Sequence, residues 1–94
     1  MSVPVGIPTA LRAYAGGQAS LDIEGATVAE VIANLAAAHP ALARHIRDDA
    51  GKLRSFVNVY LNDEDIRFLP EKDATALRPG DGLLIVPSIA GGAA

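Results

Sequence analysis

The chain contains no cysteine. That excludes a disulfide, a Cys-ligated zinc and a thiol nucleophile, so any sulfur this protein handles must reside elsewhere than on a side-chain thiol of its own. Basic residues are in the minority, eight Lys and Arg against eleven Asp and Glu, for a net charge of −3. Without clustered Lys and Arg, neither nucleic acid nor an anionic membrane is an expected partner. No apolar run approaches the ~20 residues of a membrane span. The start has no basic leader segment, and its first apolar stretch is broken by Pro4, Gly6 and Pro8. A cytoplasmic protein is therefore expected. The only histidines, His39 and His45, are six apart with Pro40 between them, share no helix face and suggest no metal site. There is no activated nucleophile and no phosphate loop, Gly80-Asp81-Gly82 being too short for one, so no catalytic residue and no enzyme activity are expected.

What is present is an apolar chain of 94 residues, 50% hydrophobic with a mean hydropathy of +0.26, enough for one modest core in one domain. Val3, Val5 and Ile7 alternate with small residues, the period of a strand, with Pro4 suggesting an edge position or an N–H facing solvent. Residues 9–15 read as a helical turn or a packed loop. After Gly16-Gly17, Ala19, Leu21 and Ile23 predict the inward side of a second strand and a hairpin. Thr27 and Glu30 fit a capping box, each side chain reaching the other's N–H. Val28, Val31, Ile32 and Leu35 then mark one face of a helix that Pro40 ends at or before His39. A short helix follows over 41–47.

Residues 56–61 are β-branched and aromatic, the strongest strand signal in the chain. The acidic Asp63-Glu64-Asp65 reads as a solvated hairpin turn, with a short return strand over 65–69 and one helical turn at 74–77. Phe56, Tyr60 and Phe68 are expected in the core or on a sheet face, where an exposed apolar patch would dock partners. Arg78-Pro79-Gly80-Asp81-Gly82 is dense turn chemistry and feeds the apolar run Leu83-Leu84-Ile85-Val86, predicted as a mid-sheet strand covered on both faces and stopped by Pro87. A hairpin, a main helix on one face and further strands make an α+β arrangement. If the last strand lies parallel beside the first, this is a mixed-sheet β-grasp, the ubiquitin-like roll.

Beyond Pro87, residues 88–94 offer Ile89 and otherwise small residues, ending Gly91-Gly92-Ala93-Ala94. The reading is a β-grasp domain over 1–87 and a flexible tail over 88–94. A glycine pair passes through channels too narrow for a Cβ. From Pro87 to Gly92 an extended chain reaches roughly 20 Å, at ~3.3 Å per residue.

With that topology and tail, the chain resembles the ubiquitin-like sulfur-carrier family that includes the small subunit of molybdopterin synthase and the thiamin sulfur carrier (MoaD/ThiS). The resemblance is carried by Ile7-Pro8-Thr9-Ala10-Leu11-Arg12, by Gly25-Ala26-Thr27-Val28-Ala29-Glu30-Val31-Ile32 and by the run from Phe56 to Arg67. It continues through Arg78-Pro79-Gly80-Asp81-Gly82 and Val86-Pro87-Ser88-Ile89-Ala90-Gly91-Gly92. The first and third of these are most similar to the branch that supplies sulfur for cysteine synthesis.

The resemblance implies that the Gly92 carboxylate is adenylated by an ATP-using, E1-like enzyme. It is then converted to a thiocarboxylate that donates sulfide to a biosynthetic partner such as a PLP-dependent cysteine synthase. The carrier itself would bind no cofactor. The family usually ends at the glycine pair, whereas this sequence continues through Ala93 and Ala94. Cleavage between Gly92 and Ala93 by a JAMM-type zinc metalloprotease is the expected first step. Arg12, Arg67, Pro87 and Ile89 are candidate partner contacts. Two alternatives use the same fold: a protein modifier joined to lysines through the same carboxylate, and a non-covalent β-grasp interaction module.

Overall fold

The computed structural model describes residues 2–55 and 57–87. Five strands form one sheet: β1 (Ser2–Gly6), β2 (Ser20–Glu24), β3 (Val57–Leu61), β4 (Glu64–Asp65) and β5 (Leu83–Pro87), in the order β2-β1-β5-β3-β4. β1 and β5 run parallel at the centre, while β1–β2, β3–β5 and β3–β4 are antiparallel. The described residues also form two helices, α1 (Val28–Ala38) and α2 (Pro40–Ile46), and three 3₁₀ segments at Thr9–Ala15, Ile66–Phe68 and Lys72–Ala74. This is the expected β-grasp.

The core follows from periodicity. Val3 and Val5 of β1, Leu21 and Ile23 of β2, Val57 and Val59 of β3, and Leu83 and Ile85 of β5 all turn to one face. Val28, Val31, Ile32 and Leu35 of α1 close over them, and Leu42 and Ile46 of α2 fill one end. α1 begins where the Thr27 hydroxyl accepts the Glu30 N–H at 3.2 Å. The return bond of the capping box goes to Ala26 N–H at 2.9 Å, not to Thr27 as expected. Here the chain turns tightly: a Cβ on Gly25 would lie 2.7 Å from the Val31 amide nitrogen. Pro40 stops α1 but serves α2 as a first-turn residue, so the two helices are separated only by His39.

Several expectations are corrected. β1 is a central strand, not an edge. Ile7 N–H donates to Ala19 O, so alternate residues Val5 and Val3 also face β2 while Pro4 and Gly6 face β5. The β1–β5 ladder starts only at Val5 opposite Leu83, so the N–H that Pro4 lacks falls where β5 has not yet begun. Ala19 is exposed and lies just before β2, not within the core face of the strand. The return strand is only Glu64–Asp65, and the turn expected at 74–77 is centred on 72–74. Asp65 ends the strand by capping a 3₁₀ turn, its carboxylate accepting the Arg67 N–H at 2.9 Å. β5 is central, as read, but covered on one face only: Leu84 is 44% exposed.

Candidate functional site

The outer face of the sheet and the end of β5 are positioned by two turns locked together. Asn62 and Asp63 take positive φ angles of 50° and 73°, making the tight β3–β4 hairpin. The Asn62 side chain donates to Asp81 Oδ1 at 2.8 Å and accepts from Gly82 N–H at 3.0 Å. The other Asp81 oxygen accepts from Arg78 N–H at 2.8 Å. These bonds, first the one from the Arg78 backbone and then the one from Asn62, hold the Asp81 carboxyl below its ordinary range. The 78–82 turn is thus tied to the far side of the sheet, and it sets the register with which β5 enters between β1 and β3.

On the outer face, that register brings Leu84 opposite both Tyr60 and Gly6, and Val86 opposite Asn58. Leu84 is exposed and Tyr60 and Val86 are half-buried, so the face carries a small apolar patch. Sequence reading missed Leu84 because four consecutive aliphatic residues give no alternation to betray an outward side chain. Tyr60 stands on the face as expected. Phe68 does not enter core or sheet; it projects from the 3₁₀ turn after β4 at 79% exposure. Phe56 lies outside the described residues.

Pro87, half-buried, is the last residue of β5 and faces Val57, the first of β3. Arg67 and Arg12 stand at this end of the sheet. The Arg67 guanidinium bonds Asn58 Oδ1, one pair before the Val57–Pro87 position, and forms a salt bridge with Asp65 Oδ2 at 3.0 Å. Asp65, read from sequence as part of a solvated turn, is in fact buried at 6% exposure, with Arg67 as its counter-charge. The Arg67 hydrogen bond holds the Asp65 carboxyl below its ordinary range against the opposing effect of burial. Arg12 is half-buried and its Nε donates to Ile7 O at 3.0 Å, just past the end of β1. One arginine therefore flanks the β5 exit on the β3 side and the other on the β1 side, both held by bonds within the fold. Ile89, Gly91, Gly92 and Ala93 lie outside the described residues.

Among the described residues no group of three or more His, Asp or Glu side chains could hold a metal ion, and His45 stacks on Tyr14 with ring centroids 4.2 Å apart. No helix among them is long and apolar enough to cross a membrane.

Comparison with known proteins adds to this geometry. Residues 5–92 match the ThiS family. The sulfur carrier protein CysO of Mycobacterium tuberculosis is 45% identical over 94 residues, covering 98% of this chain and all of the relative. The fold superposes on a crystal structure of the Amycolatopsis orientalis BexX/CysO complex with a TM-score of 0.81 at 41% identity, covering 96% of this chain and 99% of that one. It superposes on the solution structure of small archaeal modifier protein 1 from Methanosarcina acetivorans with a TM-score of 0.86 at 30% identity, covering 97% and 96%. With a family match over almost its whole length and relatives aligned end to end, the chain belongs to the ThiS family of ubiquitin-like sulfur carriers.

Proposed function

We propose that this protein carries sulfur as a thiocarboxylate on Gly92. The β-grasp body acts as a handle, and residues 88–92, once Ala93 and Ala94 are gone, serve as the arm that enters partner active sites. An E1-like enzyme joins the Gly92 carboxylate to AMP from ATP, releasing pyrophosphate. A sulfide donor then displaces AMP and leaves the C–S bond. The carrier hands this sulfur to a biosynthetic enzyme, for which a PLP-dependent cysteine synthase is the proposed recipient. The carrier supplies no acid or base; its contribution is to bring one acyl group to a fixed reach from a rigid body.

The observation that carries this reading is the geometry of β5. A central strand, clamped on both sides, ends at Pro87 between two anchored arginines, and a short segment with a glycine pair follows. Ala93 and Ala94 must first be removed, because a Cβ at the reacting residue would crowd a channel sized for glycine. A JAMM-type zinc metalloprotease is the proposed agent.

Intact-mass analysis tests each step. The expected sequence is loss of the two alanines, then exchange of one oxygen for sulfur, dependent on ATP and the activating enzyme. An unchanged terminus, with full biological activity of a Gly91→Ala, Gly92→Ala double variant, would overturn it. The likeness to small archaeal modifier protein 1 favours one second reading, attachment of the same carboxylate to lysines of other proteins. Branched peptides after digestion would identify that outcome.

A further inference from the structure

A second surface lies away from the sheet's outer face. A cavity of about 440 Å³ opens between the first half of α1 and the β3–β4 side of the sheet. Its floor is apolar, formed by Ala29 and Ile32 of α1, Leu53, Val57, Val59 and Ile66. Its rim is basic: Arg47, Lys52, Arg54 and Lys72 stand around it against one acid, Asp73. Half of the eight Lys and Arg of a chain with net charge −3 are thus gathered at one opening.

These charges are available for a partner. Among the described residues, Arg47 and Arg54 bond only through Nε to backbone carbonyls, those of Gly51 and Arg44, which fixes each guanidinium without neutralising it. Lys52 and Lys72 are exposed and have no salt-bridge partner among the described residues. The nearby Asp48 carboxylate is turned onto the Ala50 and Lys52 amides of its own loop. Arg67 also borders the cavity, but its charge is already matched by Asp65.

From this charge complementarity we propose that the groove docks an acidic peptide segment of a partner protein, one or two aliphatic side chains entering the floor and flanking carboxylates meeting the rim. A cavity of this volume accommodates one or two such side chains. A wholly apolar ligand would leave four cations facing a desolvated edge, and a basic segment would be repelled. The surface makes no use of the glycine pair, so it would hold a partner while the arm is engaged elsewhere, adding a second point of attachment.

The test is an NMR titration of the full chain with an acetylated, amidated octapeptide carrying two central isoleucines flanked by glutamates. Saturable shifts are expected at the amides of Ala29, Leu53, Ile66 and Lys72, with affinity falling as salt is raised. Lys52→Glu combined with Lys72→Asn should weaken binding by about tenfold or more; asparagine is chosen because Lys72 has a φ of 49°. Ala29→Phe, a substitution at an exposed helix position, should block the floor. Binding should persist in the Gly91→Ala, Gly92→Ala variant, so failure of sulfur transfer there leaves this result standing. No saturable shift up to millimolar peptide would overturn the proposal. So would shifts centred on Leu84, equal binding of a lysine-flanked peptide, or occupation of the groove by laurate but not by the peptide.

Discussion

Leu84 lies across Gly6. A Cβ placed on residue 6 would meet Leu84 Cδ1 at 2.7 Å, so the absence of a side chain on β1 is what lets the leucine settle flat on the outer face of the sheet. Because Leu84 is already 44% exposed, Leu84→Ser removes little buried area. The expected cost in chemical denaturation is about 1 kcal/mol or less. If the outer face is the surface on which the activating enzyme seats the carrier, the same variant will show a raised KM for adenylation with the tail unaltered. Gly6→Ala should act in the same direction by lifting Leu84, since a leucine side-chain end can move.

Gly25→Ala is expected to be far less tolerated. There the added carbon would sit 2.7 Å from the Val31 backbone nitrogen, at the first turn of α1, and backbone cannot swing aside. A loss of about 1–3 kcal/mol is expected from urea unfolding, with the outer face unchanged in the surviving folded fraction.

Leu35 has no exposed surface and is the last of the four buried residues on the core face of α1. Leu35→Ala should cost about 2–5 kcal/mol, a large share of the stability of a domain this small. The midpoint of denaturation should fall while sulfur loading of the remaining folded protein persists.

The Asp65–Arg67 pair gives a pH dependence. The folded-state pKa of Asp65 is depressed, so its contribution is fully present above the unfolded value of about 3.9 and is lost as pH falls through the lower folded value. The denaturation midpoint should therefore drop as pH is lowered below about 4. In Arg67→Gln the part of that slope due to Asp65 should shrink, because the shift is caused chiefly by the Arg67 hydrogen bond. An unaltered slope in the variant would assign the acid sensitivity to other carboxylates.

Most of the architecture was legible because its signals were periodic. Val3, Val5 and Ile7 alternate, and Val28, Val31, Ile32 and Leu35 repeat at helical spacing; both patterns became core faces. The resemblance likewise rested on segments that the fold places as read: the capped start of α1, β3, and the 78–82 turn into β5. What escaped reading depended on neighbours distant in sequence. Nothing near Leu84 reveals that one face of β5 is uncovered. Asp65 reads as one of three acids in a turn until Arg67 folds back on it and Asn58. The basic rim brings Arg47, Lys52 and Arg54 together with Lys72, residues that no local pattern links. Gly91 and Gly92, on which the proposed chemistry depends, were legible only as a motif.

The sheet has one further consequence, for the order of assembly. Of the described strands its middle one is made last, and β1 must wait for residues nearly eighty positions away before its second neighbour arrives. Long-range parallel pairing of this kind slows folding. A chain stopped before Leu83 would leave β1–β2 and β3–β4 as separate hairpins with no strand to join them. Incomplete translation products should therefore never mature into a rigid body, and partner enzymes would meet only molecules whose synthesis had run past the central strand.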